Sequence, residues 1–433
     1  MREMRESSGS IRLGKDTTNL FRSRTESPTK KLDVRDFNSV IKINVDECWV
    51  DVEGMTTYEA LVNETLKKGF MPAVVPELKS ITIGGAVSGL GIEASSFRFG
   101  LVHETVLEMD ILLSSGHIVT ATPDNQHRDL FFGMPNSFGT LGYVVRVRAL
   151  LIPVKPYVRI THERFVSPKV FLETLVAYTK RDDIDFLESE IFSDTEHYIS
   201  TGSFTNTASH TSDYTYMHIY YRSIRKNSED FLTTHDFIWR WDTDWFWDSK
   251  FFGAEYKIVR RLLGKRHLNS KFYMRFMQLS RRWNLYTLLN FFRKTHSEAV
   301  IQDIPIPAEN ASDFLAFFQK EIGITPLWIC PIGTYGTDRR YPLFPTDRSK
   351  LYFNFGFWDT VKNRGNFESG HFNKLVEKKA NELGGIKSLY SDSYYSEKEF
   401  WGIYGKEPYQ VLKKKYDPVG KLKDLYEKCV QKA

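Results

Sequence analysis

The sequence predicts an α+β fold in two unequal lobes. Residues 1–155 carry alternating β-branched runs broken by glycine-rich loops, and Pro153 and Pro156 mark a boundary after them. Residues 156–433 mix helix-period and strand-period stretches, with no internal repeat and no low-complexity tract.

Composition narrows the class further. The chain has 433 residues, 41% hydrophobic, 15% aromatic and 26% charged, which excludes a disordered chain. No apolar run approaches the roughly 18 residues that a membrane-spanning helix needs. The opening Met1-Arg-Glu-Met-Arg-Glu-Ser-Ser has no apolar centre of a secretory signal. Cys48, Cys330 and Cys429 lie far apart with no CxxC spacing, so a disulfide framework and a metal site are not expected, and a reducing, cytoplasmic compartment is. A net charge of +5 without a concentrated basic stripe argues against nucleic acid as a partner.

Taken in order, residues 40–52 alternate as one strand, and Thr56 to Glu59 offer a capping box for a helix stopped by Gly69. Two apolar runs joined by Ser114-Ser-Gly116 read as a β-hairpin, and Asp129 to Phe132 as a short helical turn. Tyr143 to Ile152 is a strand in which Val145 and Val147 alternate with Arg146 and Arg148. Ser167-Pro168 starts a helix with a cap and an N1 proline. Strands are expected at 184–192 and 214–222, a mostly helical aromatic and basic region at 229–296, and a helix at 308–322. Further strands at 325–331 and 350–357 precede a helix at 370–383, a strand through Tyr390 and a second capping box at Ser396 to Glu399. Asn310-Ala-Ser312 matches a glycosylation sequon and is read as a helix start.

Three glycine-bearing loops carry the chemical signal. They are Arg12-Leu-Gly14-Lys15-Asp-Thr17-Thr18, Pro76 through Thr82-Ile-Gly84-Gly85 to Gly89-Leu-Gly91, and Ser137-Phe-Gly139-Thr140-Leu-Gly142. Glycines in such loops either serve tight turns or let successive backbone N–H groups approach a phosphate closely. Neither GxGxxG nor GxxxxGK[ST] spacing is present. Three such loops in one lobe favour a large phosphate-bearing cofactor.

Together, PELKSITIGGAVSGLGIEASSFRFGL, VLEMDILLSSGHIVTATP and DLFFGMPNSFGTLGYVVRVRALLIPVKPYV resemble the FAD-binding domain of the vanillyl-alcohol-oxidase (PCMH-type) superfamily. Within it the likeness is to the Δ24-sterol reductase (seladin, or diminuto) family, supported by PLWICPI and SLYSDSYYSEKEFWGIYG in the second lobe. The resemblance implies a PCMH-type FAD-binding domain over 1–155, opening almost directly on the Arg-x-Gly-Lys-type loop without the family's first strand–helix unit, and an α+β substrate (cap) domain over 156–433. It implies noncovalent FAD, since the covalently linking His or Cys of other members has no counterpart in these loops and His103 lies beyond them. Carried onto this sequence, the cofactor-binding residues are Arg12, Lys15, Thr18, Pro76, Thr82, Ile83, Gly84, Gly85, Gly89, Ser95, Ser96, Gly139, Thr140, Gly142 and Val144.

The implied activity is reduction of a C=C bond in a sterol-like or other apolar lipid, with NADPH or NADH as electron donor. A proton donor is then required. If 388–394 is a strand, Asp392 and Tyr394 share a face, and both are candidates; Glu93, beside the flavin by resemblance, is a third. Trp239, Trp241, Trp245 and Trp247, followed by Arg260, Arg261, Lys265 and Arg266, read either as a core segment or as a surface for peripheral membrane contact. Two rival readings stand beside the reductase: an FAD-linked oxidase or dehydrogenase of a hydroxy acid, sugar or alcohol, and an inactive flavin-fold lipid-binding protein.

Overall fold

The protein is described here from a computed structural model covering residues 4, 9–15, 17, 21–22, 30–282, 296–336, 339–363, 365 and 367–432. Fifteen strands occur among these residues, numbered in chain order. A parallel pair, β1 (Ile11–Gly14) and β2 (Lys30–Asp33), precedes an antiparallel sheet ordered β3-β4-β8-β6-β7, with β5 (Phe70–Pro72) also paired to β8. Its members are β3 (Val40–Asn44), β4 (Trp49–Glu53), β6 (Val106–Leu112), β7 (Ile118–Ala121) and β8 (Tyr143–Pro153). Period-2 alternation along β8 sends Val147, Ala149 and Leu151 into the core. Arg146 and Arg148 take the other face, where Asp51 accepts from both, at 2.6 and 2.7 Å.

The chain leaves this sheet after Pro153 and enters a second, seven-stranded antiparallel sheet at Tyr157. Its order is β12-β9-β11-β10-β14-β15-β13, formed by β9 (Tyr157–Phe165), β10 (Phe186–Ser193), β11 (Glu196–Thr205), β12 (Glu229–Thr233), β13 (His296–Pro307), β14 (Leu327–Ile332) and β15 (Tyr352–Asn363). One face packs under the helices Pro168–Tyr178, Ala311–Glu321 and His371–Glu382, burying Phe171, Phe314, Phe318 and Val376 against Ile304, Phe353, Phe355 and Phe357. The same alternation turns Glu188, Asp303, Trp328, Asn354 and Trp358 to the opposite face, towards the first sheet.

Several sequence expectations change. Residues 40–52 form a hairpin, because Asn44 and Glu47 close a turn in which the Glu47 N–H donates to Asn44 Oδ1 at 3.1 Å. Residues 214–222 are turns leading into the short helix Tyr220–Ser223, and 388–396 form no strand. The region 229–282 opens with β12 and holds several short helices, while 283–295 lie outside the described residues. Strands β9, β11 and β13 are absent from the sequence reading; polar runs such as His197-Tyr-Ile-Ser-Thr201 and the proline-bearing Asp303-Ile-Pro-Ile-Pro307 mask the alternation. Both the Ser167 cap and the Ser396–Glu399 capping box form as expected. No helix of the described residues is long and apolar enough to cross a membrane.

Candidate functional site

A cavity of about 710 Å³ runs between the two sheets. Its first end is built from the three glycine loops. The Gly84 N–H donates to Gly54 O at 2.9 Å and the Ile83 N–H to Thr56 O at 3.0 Å, which seats the short helix Ile83–Gly89 against the end of β4. A Cβ on Gly84 would stand 2.7 Å from Gly54 O and 2.9 Å from Val144 O, so this glycine permits close packing of helix on sheet. Gly85 differs: its missing Cβ faces Thr82 Oγ1 and Lys15 Nζ, inside the cavity. Thr82 Oγ1 is buried without a hydrogen-bond partner, and Arg12, Lys15, Lys423 and Lys428 line the same end. A glycine-walled, cation-bearing recess with an unsatisfied hydroxyl fits a diphosphate.

Among the residues expected to hold the cofactor, Arg12, Lys15, Pro76, Thr82, Gly84, Gly85, Gly89, Gly139 and Val144 line the cavity. Thr18 lies outside the described residues. The remaining five do not line it. Ile83 points into the core of the first sheet. Ser95 Oγ donates to Ala73 O at 2.7 Å, and Ser96 Oγ accepts from the Glu93 N–H at 3.1 Å, so both hydroxyls are used in holding a buried turn. Thr140 donates to Ser137 O at 2.8 Å, and Gly142 packs against Ile111. His103 is buried edge-on to Tyr341, with ring centroids 4.3 Å apart, and burial holds its pKa down at about 3.

The second end is aromatic. Trp245, Phe246, Trp328 and Trp358 wall it, with Phe246 stacked on Trp358 at 4.5 Å. Trp245 and Phe246 both have positive φ, 46° and 59°, costly for bulky side chains. The Phe246 N–H donation to Trp241 O at 3.0 Å helps hold this bend, which turns both rings into the cavity. All four tryptophans between 239 and 247 are buried, as are Arg240, Asp242 and Asp244, so this segment is core and cavity wall, and no part of it is a membrane-facing surface.

Polar groups at the aromatic end are few. Asn354 Nδ2 donates to Asp303 Oδ1 at 2.7 Å, and Trp358 Nε1–H donates to the Tyr390 hydroxyl at 2.9 Å. Tyr390 and Asp303 are within hydrogen-bonding reach of each other. That hydroxyl already accepts from Trp358; its own proton points to Asp303 when the carboxyl is ionised, and is free for another acceptor when a protonated Asp303 donates to it instead. Burial pushes the Asp303 carboxyl up to about 6, against the opposing pull of Asn354 and Tyr390. Burial also raises Asp248, whose Oδ1 has no hydrogen-bond partner.

Asp392 and Tyr394 stand elsewhere. The Tyr394 N–H donates to Glu377 Oε2 at 3.0 Å and its ring fills the space beside Gly370, while Asp392 pairs with Lys432 at 3.4 Å. Without a strand at 388–394, their expected shared face towards the ligand does not exist. Tyr390, four residues earlier, reaches the cavity instead, its carbonyl accepting from the Phe21 N–H at 3.0 Å.

Glu93 lines the cavity and belongs to a buried cluster around Arg240. The Arg240 guanidinium meets Glu93 at 2.7 Å, Glu188 at 2.9 Å and, closer still, Glu77. Glu188 also accepts from Trp328 Nε1 at 2.8 Å and Trp241 Nε1 at 3.1 Å. Burial holds the Glu77 and Glu93 carboxyls above their ordinary range, with Arg240 opposing. Glu93 thereby ties the first sheet's loops to the second sheet.

Residues 1–122 match the family model described as an FAD binding domain. The first lobe, with its glycine-walled recess, is thus similar to an FAD binding domain, the kind of domain found across vanillyl-alcohol-oxidase (PCMH-type) flavoenzymes. Over most of its length the chain is similar to Δ24-sterol reductases. It is 25% identical over 448 residues to Delta(24)-sterol reductase of Arabidopsis thaliana, covering 92% of this chain and 76% of that one. Against the Homo sapiens protein of the same name it is 25% identical over 417 residues, covering 91% and 76%. Cytokinin dehydrogenase 3 of Arabidopsis thaliana matches a shorter stretch, 31% identical over 158 residues, 36% of this chain and 29% of that one.

Proposed function

We propose that the protein reduces a C=C bond of a sterol-like or similarly apolar lipid, using noncovalently held FAD recharged by NADPH or NADH. The observation that supports this reading is the polarity of one continuous cavity: cations and glycines at one end, aromatic side chains with the Asp303–Tyr390 pair at the other. When bound, FAD supplies a hydride to one carbon of the double bond. Arg12, Lys15, Lys423 and Lys428 hold its phosphates, and Trp245, Phe246, Trp328 and Trp358 exclude water from the acyclic or ring carbons being reduced.

Tyr390 and Asp303 supply the proton. The Tyr390 O–H bond breaks as a C–H bond forms at the second carbon, and the protonated Asp303 carboxyl returns a proton to the phenolate oxygen. Trp358 Nε1–H stabilises that oxygen throughout. Asp303 must therefore be protonated at the start. Since its carboxyl titrates near 6, reoxidation of reduced enzyme by substrate should slow as pH rises above that value.

The test is anaerobic single-turnover kinetics with a Δ24-unsaturated sterol. Tyr390→Phe and Asp303→Asn are expected to slow reoxidation about 10²-fold or more while leaving FAD content and reduction by NADPH intact, and Asp303→Asn should flatten the pH profile. Tyr394→Phe should behave as wild type. Failure of the wild-type enzyme to be reoxidised by sterol, with rapid reoxidation by oxygen, would favour an oxidase of a hydroxylated substrate. Failure to take up FAD would leave the lipid-binding reading.

A further inference from the structure

The helix Lys257–Leu263 is held to the body by one buried ion pair. Arg260 Nη1 meets Asp244 Oδ1 at 2.5 Å and donates to Ala254 O at 3.0 Å, fixing which side of the helix faces inward. The outward side is apolar. Ile258 and Leu262, one helical turn apart, are 74% and 82% exposed, and the preceding Tyr256 is 72% exposed. Beside them run Lys257 and Arg261, also one turn apart, with Arg266 beyond the helix; all three are exposed. Residues 256–267 contain no acid, and among the described residues no ion pair engages Lys257, Arg261 or Arg266. Lys265 is left out of this group because Asp213 and Asp236 lie near it.

Large aliphatic side chains at this exposure are unfavourable in water unless something covers them. An apolar row bordered by unpaired cations matches the boundary of an anionic bilayer, where hydrocarbon meets negatively charged headgroups. The inner side of the helix reaches the cavity wall: Leu263 packs against the cluster that holds Trp245 and Tyr273, and a line of rings runs from the neighbouring Phe276 to the same wall. Phe276, partly exposed, lies 5.4 Å from Phe252; Phe252 stacks on Tyr273 at 4.9 Å; Tyr273 stacks on Trp245 at 6.4 Å, and Trp245 lines the cavity.

We propose that Tyr256, Ile258 and Leu262, with Lys257, Arg261 and Arg266, form a monotopic docking face for an anionic lipid surface. This face places the aromatic end of the cavity next to the membrane from which an apolar substrate is drawn. The delivery role rests on the lipid-reductase reading above; the docking does not, and is tested without turnover.

The experiment is vesicle flotation of the full chain, with phosphatidylcholine vesicles containing or lacking phosphatidylserine, at low and high salt. Wild type should float with phosphatidylserine vesicles, about tenfold more weakly without that lipid or at high salt. The Ile258→Asp/Leu262→Asp variant should stay at the bottom with either vesicle while keeping its FAD content, since both side chains are exposed and the fold does not depend on them. The Lys257→Glu/Arg261→Glu variant should lose the preference for phosphatidylserine. Wild type that does not float, or variants that float as wild type does, would overturn the proposal. So would an absence of flotation combined with a halved solution mass in the Ile258→Asp/Leu262→Asp variant, which would assign the face to a second copy of the chain.

Discussion

At the scale of single residues, Arg240 sets the balance of the interior. One guanidinium faces Glu77, Glu93 and Glu188, with Glu190 close by, and burial pushes the Glu77, Glu93 and Glu190 carboxyls up. Carboxyls whose pKa is higher folded than unfolded contribute stability that is complete below the unfolded value and is lost as pH rises through the folded one. Removing Arg240 lifts the folded values further. Arg240→Met is therefore expected to cost about 3–5 kcal/mol at neutral pH and to recover part of that loss near pH 5 or so, measured by urea unfolding at both pH values. An equal loss at the two would contradict the charge account. None of this was legible in the sequence, because four separate segments supply the charges and nothing local marks them as partners. The proposed proton donor escapes the sequence for a related reason. Asp303 comes from β13, Tyr390 from an irregular segment and Trp358 from β15, while the strand period assumed for 388–394 put the expectation four residues away on Tyr394.

At the scale of elements, the helix Ile83–Gly89 shows what a sequence can and cannot convey. Its glycine pair was legible because the chemistry sits in consecutive residues. Their different duties were not, since these depend on β4 and β8 crossing beneath. Gly84→Ala should push the helix from Gly54 O and Val144 O and lower stability by about 1–3 kcal/mol, read from the shift of the denaturation midpoint. Gly85→Ala, whose methyl would stand 2.9 Å from Thr82 Oγ1, should cost the apoprotein less than Gly84→Ala, because that hydroxyl can turn aside where backbone cannot, but should weaken FAD binding, read by flavin fluorescence titration. Equal stability losses in the two variants would show that both positions serve packing. The seven-stranded sheet adds a complementary point: its helix-facing phenylalanines announce a core, whereas its cavity face mixes Glu, Asn, Trp and Asp and resembles no simple pattern until the strands are paired.

At the scale of the whole molecule, the cofactor end of the cavity depends on residues remote in sequence. Lys428 Nζ donates to Phe138 O at 2.6 Å, Lys413 Nζ to Thr140 O at 2.8 Å, and Arg22 Nη1 to Leu389 O at 2.9 Å. FAD at about 100 times its Kd should stabilise the wild-type chain by about 2.7 kcal/mol, a rise of a few degrees in Tm for a protein of this size. Deleting residues 418–433 removes Lys423 and Lys428 from the cavity wall and should abolish that rise in thermal scans with and without FAD. An undiminished rise would show that the first two loops suffice.

This closure has a consequence for biosynthesis. The strand β1 is anchored by the Ile11 N–H donating to Lys421 O at 3.2 Å, and Lys421 Nζ donates to Met4 O at 2.8 Å, so segments some 400 residues apart meet beside the cradle. Synthesis runs from the N-terminus, so Ile11 is made long before Lys421, and every strand of both sheets, the last ending at Asn363, is made before β1 can be pinned and the cradle closed.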